Sequence, residues 1–183
     1  MKKTLTLMTA LLLTVLMMAQ EAPRRYGVKS GIVKMASEMM GQKVETLSYF
    51  EDYGALERTE TEFNGMKLVT ISRDGKNYMV DEVTKKVHDL PVQETVNFMA
   101  LTDEDIKKYK IEVVGVEEIL GKSCILYKME VSQMGQTAKI QASVWEGYTM
   151  KSVSSGMGMS MSATVTSFQE TPVDAALFVL PEF

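Results

Sequence analysis

The sequence is poor in the residues on which many small domains and enzymes depend. Its 183 residues include one cysteine and one histidine. With Cys124 alone, no internal disulfide can form, so a hydrophobic core must hold the fold. With His88 as the only histidine, neither a base beside a nucleophile nor a cluster of metal ligands is visible. We therefore predict that the protein is not an enzyme and that it holds no cofactor or metal.

These two single residues have simple predicted roles. Cys124 lies in an apolar, strand-like run and is expected to be a buried, inert thiol, with a reactive or intermolecular thiol as the alternative. His88 is expected on the surface. The chain also lacks an excess of positive charge, since 20 lysines and arginines face 24 acids. That balance argues against nucleic acid as a partner.

The N-terminus has the pattern of an export signal. Lys2 and Lys3 precede an apolar run over 5–19, which ends in polar residues from Gln20 onward. A basic segment followed by an apolar core of this length is typical of a cleavable signal peptide, predicted over 1–20, with Ala19, Gln20 or Ala22 as its last residue. The run is short for a membrane-spanning helix, so an uncleaved anchor is the less favoured alternative. The mature protein is expected in the periplasm without a membrane anchor, with secretion or surface association as alternatives.

The rest of the chain, 21–183, is predicted to form one domain rich in strands. Short β-like runs are separated by turn residues, and Asn64-Gly65 is a strong hairpin signal. Eleven strands are predicted at 28–39, 43–53, 55–63, 66–73, 76–81, 84–90, 111–118, 122–132, 137–146, 148–154 and 157–168. Links this short imply antiparallel pairing.

Two short helices are predicted near 92–110. Val92, Val96 and Met99 have helical spacing, and Thr102 resembles an N-cap followed by three acids. Because a flat sheet of eleven strands is improbable, the predicted fold is mainly β (α+β). It is a strongly curved antiparallel sheet forming an incomplete barrel, with a short helical lid.

Alternation in the later strands predicts an apolar face. Methionines alternate with small polar residues in the last strand, and aliphatic residues alternate in two earlier ones. The predicted apolar cavity is lined by Met129, Ile140, Val144, Met157, Met159 and Met161 on the sheet and by Val96 and Met99 on the lid. Methionine suits adaptable apolar surfaces, although it also fills ordinary cores. Cu(I) binding by the methionines is a weaker alternative.

Three segments resemble the periplasmic lipoprotein-localisation factor (LolA/LolB-like) superfamily, in particular its small uncharacterised exported members of Bacteroidetes type. They are GVEEILGKSCILYKM (115–129), WEGYTMK (145–151) and PVDAALFVLP (172–181). The resemblance implies an incomplete barrel with a lid and an apolar cavity, which holds acyl chains in the lipoprotein carriers. The Arg-Pro-rich strand segment of the carriers is missing. Arg58 is the counterpart of their arginine and a candidate polar gate, or it forms an ion pair with a neighbouring glutamate.

The sequence thus predicts an exported binding protein that shelters a lipid or acylated partner, with a role like outer-membrane lipoprotein sorting as one version. The expected ligand is a lipid or acyl chain, carried by a lipoprotein in that version, and the protein is expected to be a monomer. The alternative is a non-enzymatic envelope scaffold or interaction protein whose barrel is filled by its own side chains. The volume inside the sheet separates the two hypotheses.

Overall fold

Eleven strands form one antiparallel sheet in the computed structural model, which describes residues 24–39, 41–63, 65–92, 95–133, 136–156 and 159–183. The side chains of Met39, Gln133, Gln136 and Met159 are outside this description. The strands are β1 (Gly31–Met39), β2 (Gln42–Glu51), β3 (Leu56–Phe63), β4 (Met66–Arg73), β5 (Lys76–Asp81), β6 (Lys86–Leu90), β7 (Glu112–Ile119), β8 (Lys122–Gln133), β9 (Gln136–Trp145), β10 (Tyr148–Gly156) and β11 (Met159–Gln169). The predicted signal peptide lies outside the described residues.

The sheet consists of two meanders joined at a central seam. The strand order is β6-β5-β4-β3-β2-β1-β11-β10-β9-β8-β7, so the first and last strands pair with each other. Strands β6 and β7 are the two edges, and the sheet is not closed. The predicted incomplete barrel of eleven strands with a short helical lid is confirmed.

The lid contains one helix among the described residues, α1 (Asp103–Tyr109). Thr102 is its N-cap, as predicted, and a capping box is present: Thr102 accepts a hydrogen bond from the Asp105 N–H, and the Asp105 carboxylate accepts one from the Thr102 N–H. Lys110 ends the helix with a left-handed φ of 48°. No helix in the described part of the chain has the length and apolar character needed to span a bilayer.

The helix predicted from Val92, Val96 and Met99 is wrong, since the described residues between 91 and 101 contain none. Asn97 explains the difference. Its side-chain oxygen accepts a hydrogen bond from the Met99 N–H at 3.0 Å, and its backbone oxygen accepts from the Ala100 N–H at 3.1 Å. A local bond of this kind competes with helix formation.

The two faces of the sheet can be followed through the register, because directly opposed residues share a face. One row joins Tyr127, Ala142, Ser152, Ala163 and Ser37. On β1, Val33 shares the face of Ser37 and is paired with Ser48 of β2. We call this face, which carries the lid, the inner face. The opposite one is the outer face.

The main core lies around the seam and is largely aromatic. Tyr26, Phe50 and Tyr148 pack with ring centroids 4.9 to 5.8 Å apart, and Phe168 lies 5.3 Å from Tyr148. Cys124 is fully buried in the same cluster, as predicted. Burial raises the pKa of its thiol, which favours the protonated form. His88 is exposed, also as predicted.

A second core lies on the outer face of β3–β5. Val69, Ile71 and Val80 are buried there, and Leu180 of the C-terminal tail packs on them. The tail includes a single turn of 3-10 helix, Ala175–Phe178, which contacts β3 and β4. Arg58 and Arg73 donate hydrogen bonds to the backbone oxygens of Leu177 and Phe178. The tail therefore covers the apolar side of this half.

Candidate functional site

Four of the predicted cavity residues meet on the inner face. Met129 and Val144 are buried in one cluster, on which Ile140 and Val96 pack as half-buried neighbours. The register explains the meeting, because Met129 of β8 is directly opposed to Ile140 of β9. Val144 follows Ile140 by four residues and so shares its face.

The lid covers this cluster with the chain's own side chains. Phe98, Leu101 and Tyr109 pack against it, and the Phe98 ring centroid lies 4.9 Å from that of Tyr127. Burial raises the pKa of Tyr127. The centre of the predicted apolar cavity is therefore occupied by the chain's own side chains.

The remaining methionines of the prediction lie elsewhere. Met161 lies on the inner face, because it is paired with Ser154, which is in turn paired with Ile140. Its exposed fraction is 45%. Met99 is 43% exposed and its side chain lies against Gly147. Met159 is paired through its backbone with Gly156, and its side chain is outside the description. Met157 lies outside the described residues.

The apolar surface continues from the covered cluster to the free edge of the sheet. Val144 is opposed to Ile125 of β8, which is opposed to Val116 of the edge strand β7. Ile125 is 42% exposed, and Val116 and Val113 are 67% and 66% exposed. We call Val113, Val116 and Ile125 the edge strip. Sequence reasoning missed its two valines because a bulge between Val113 and Gly115 breaks the alternation of β7.

Arg58, the candidate gate, is not brought to this site. It is opposed to Ile71 and so lies on the outer face. Its Nε donates to the Glu60 carboxylate at 2.6 Å, which is the ion pair with a neighbouring glutamate that the sequence offered as the alternative. Its Nη1 lies 3.3 Å from the Leu177 oxygen, so the side chain holds the C-terminal tail.

Another cavity lies on the inner face of β3–β5, where no residue of the predicted site was placed. Its volume is about 1360 Å³. One register row across this face joins Glu57, Ser72, Asn77 and Leu90, and the next joins Thr59, Thr70 and Met79. The signal in the sequence is the alternation of Thr70 and Ser72 with the buried residues Val69 and Ile71.

Arg24 and Arg25 line one side of this cavity. They belong to residues 24–27, which we call the N-terminal strap. Arg25 forms an ion pair with Glu57 at 2.7 Å, and the Tyr26 hydroxyl lies 3.4 Å from the same carboxylate. Burial and the nearby Glu57 raise the pKa of Tyr26 well above its usual value. The guanidinium of Arg24 lies 3.8 Å from the ring centroid of Tyr53. The charges at this wall are therefore engaged with neighbouring groups of the chain.

A smaller cavity of about 450 Å³ has Met129 and Ile140 at its border. Most of its other lining residues are polar or charged, including Lys110 and Glu130, whose Nζ and Oε2 atoms lie 2.5 Å apart. Across the described ranges, no three His, Cys, Asp or Glu residues are grouped as metal ligands.

Solved structures share this fold at low sequence identity. MucB of Pseudomonas aeruginosa, in its complex with MucA, is 14% identical over 81% of this chain and 54% of that one, with a TM-score of 0.56. An uncharacterized conserved protein from Thermus thermophilus is 12% identical over 85% and 87% of the two chains, with a TM-score of 0.60. The chain spans about half the length of MucB.

A LolA superfamily protein from Nitrosomonas europaea is also matched, at 7% identity over 86% of this chain and 93% of that one, with a TM-score of 0.46. No protein-family model matches the chain. No curated protein matches it either.

Proposed function

We propose that this is an exported, periplasmic, non-enzymatic binding protein that shelters a lipid or acylated partner on the apolar part of its inner face. The observation that carries the proposal is the continuity of the apolar surface. It runs from the cluster of Met129 and Val144 under the lid to the exposed edge strip on β7 and β8. An acyl chain laid along the edge strip gains about 0.8 kcal/mol for each methylene that it buries.

The lid gives this site a way to open. Its contacts with the sheet in the segment 96–101 are made by the half-buried side chains of Val96, Phe98 and Leu101, and the Phe98 ring packs on Tyr127. Displacing Phe98 would join the edge strip to the buried cluster and extend the apolar surface. The predicted residues Met129, Ile140, Val144 and Val96 would then contact the chain, with Met161 and Met99 at the margins.

Displacement of a fluorescent fatty acid, together with lipid extraction and mass spectrometry of the purified protein, tests the proposal. Ile125→Asp places a charge in the edge strip at a position that is already 42% exposed, so the fold should tolerate it. We expect the variant to bind the probe at least about tenfold more weakly, the cost of burying an unpaired charge against the chain. Val83→Asp is the matched control, because Val83 is 92% exposed in a turn outside the strip.

Two results would overturn this function: no retained lipid with no binding of the probe, or equal probe affinity in Ile125→Asp and the unaltered protein. They would leave the second candidate, an envelope interaction protein whose barrel is filled. The packing of Phe98, Leu101 and Tyr109 on the sheet favours that candidate. MucB, which shares the fold, was solved in complex with MucA. Capture of one stoichiometric protein partner from envelope extracts, lost in Ile125→Asp, would support it.

A further inference from the structure

The lid and the N-terminal strap meet beside the turn that joins β9 to β10. The side-chain amide of Asn97 donates a hydrogen bond to the Arg24 backbone oxygen at 3.1 Å. Within the described segment 95–101, this is the one hydrogen bond that reaches another part of the chain. The polar attachment of this segment is therefore a single bond, and the strap accepts it.

A close contact lies beside that bond, two residues further along the lid. The side chain of Met99 lies against Gly147, the second residue of the β9–β10 turn, whose φ is 75°. A Cβ atom at Gly147 would lie 2.6 Å from the Met99 Cγ and 2.5 Å from the Arg25 oxygen, which is closer than a real Cβ can approach. The glycine thus allows lid, strap and turn to meet at one point. We call the contacts of Asn97 with Arg24 and of Met99 with Gly147 the latch.

The latch flanks the residue that seals the apolar cluster. Phe98 stands between Asn97 and Met99 in the sequence, and its ring centroid lies 4.9 Å from that of Tyr127. Because both neighbours of Phe98 are held, moving this stretch of backbone away from the sheet requires the latch to break. None of the residues packed in the cluster belongs to the strap.

An apolar ligand affects the two kinds of lid contact differently. An acyl chain that enters under the lid buries the apolar area on Tyr127 that Phe98 uncovers, so it replaces the lost packing. The same chain has no donor for the Arg24 oxygen, so it does not replace the hydrogen bond from Asn97. The latch is therefore the part of the lid attachment that an apolar ligand leaves uncompensated.

We propose that the N-terminal strap latches the lid, and that breaking the latch is the step that admits an acyl chain to the apolar cluster. The identity of the entering ligand rests on the proposed function. The latch rests only on the contacts of Asn97, Met99, Gly147 and the strap. The strap in this way controls access to a site that its own residues do not line.

Amide hydrogen exchange over 96–101, measured on the purified protein without ligand, tests the latch, because it reports local opening. Asn97→Asp keeps the side-chain oxygen that accepts from the Met99 N–H but removes the donor to Arg24. We expect exchange over 96–101 to rise about two- to tenfold, the factor that one net hydrogen bond contributes to an opening equilibrium.

Gly147→Ala breaks the latch from its other side, since the added methyl group collides with Met99 and with the Arg25 oxygen. Gly121→Ala is the matched control. It also follows a residue with positive φ in a two-residue turn, its own φ is 73°, and its Cβ would meet nothing within 4 Å. Exchange over 96–101 should rise in Gly147→Ala and stay unchanged in Gly121→Ala, although both carry the same backbone strain.

The association rate of the fluorescent fatty acid is the second measurement, and it should rise in Asn97→Asp and Gly147→Ala. Unchanged exchange over 96–101 in both variants would overturn the latch, whether or not the probe binds. Raised exchange with an unchanged association rate would overturn its role in admitting the chain. Raised exchange in a protein that binds no probe would support the latch and disprove the lipid function, so the two failures are distinguishable.

Discussion

The two meanders use the same face of one sheet in opposite ways. On β8 and β9 the inner face carries Tyr127, Met129 and Val144, and the lid seals them from water. On β3 and β4 the inner face carries Thr59 and Thr70, and the buried aliphatic residues are on the outer face under the C-terminal tail. The difference shows that a curved sheet can have its core on either side, depending on which segment returns to cover it.

The largest expected change in stability is at Ile71 of β4, which we compare with its neighbour Thr70. Ile71→Ala should lower the free energy of unfolding by about 2–5 kcal/mol, because Ile71 is fully buried under the tail. Thr70→Ala, one residue away on the open inner face, should change it by no more than about 0.5 kcal/mol. Urea denaturation measures both. Similar losses of unfolding free energy in the two variants would contradict the placement of the core of this meander on the outer face.

A smaller effect is expected from Phe98 in the other meander. Phe98→Ala removes the half-buried ring that covers Tyr127 and should cost about 1–2 kcal/mol. Because the variant uncovers the apolar cluster, it should also bind the fluorescent fatty acid more tightly. Leu68→Ala, an exposed aliphatic on the polar half, is the control. Unchanged stability and probe binding in Phe98→Ala would mean that the lid does not seal this half.

The smallest expected effect is on the pH dependence of stability, through the carboxyl group of Glu117. The hydrogen bond from Ser143, followed by the ion pair with Lys151, holds the pKa of Glu117 below its ordinary value of 4.5. A carboxyl group with a lowered folded-state pKa stabilises the protein above its unfolded-state pKa, and this stabilisation is lost as the pH falls through the folded-state pKa. Ser143→Ala should therefore lower stability by no more than about 1 kcal/mol at pH 7. The difference in stability between the variant and the unaltered protein should shrink as the pH falls below 4.5 and through the lowered folded-state pKa of Glu117. A gap that stays constant down to about pH 3 in urea titrations would assign the loss to packing instead.

The sheet could be predicted from sequence because its signals are local. Turn residues such as Gly65 and Gly121, both with positive φ, end each strand and begin the next. The meeting of Met129, Ile140 and Val144 also followed from alternation. Alternation gives the residues that share a face, but it does not say what covers that face. In β3–β5 the core lies on the outer face because the C-terminal tail covers that face. The tail lies far along the chain from these strands, so their alternation could not show which face would be covered.

The lid was less predictable for a similar reason. Val96 packs against the sheet, but the segment is not the helix that its spacing predicted. Asn97 turns the chain through its own side-chain and backbone bonds, and its amide donates to the Arg24 oxygen at 3.1 Å. The bond to Arg24 joins residues far apart in sequence, so no periodic pattern of residues could predict it.

The N-terminal strap has a mechanical consequence for the whole sheet. Its backbone N–H groups at Arg25 and Tyr26 bind the Tyr53 oxygen in the first meander, and that of Gly27 binds the Glu146 oxygen in the second. The strap is thus a chord across the arc of the sheet, and it fixes the width at that end. The two meanders cannot move apart at this end without breaking these hydrogen bonds.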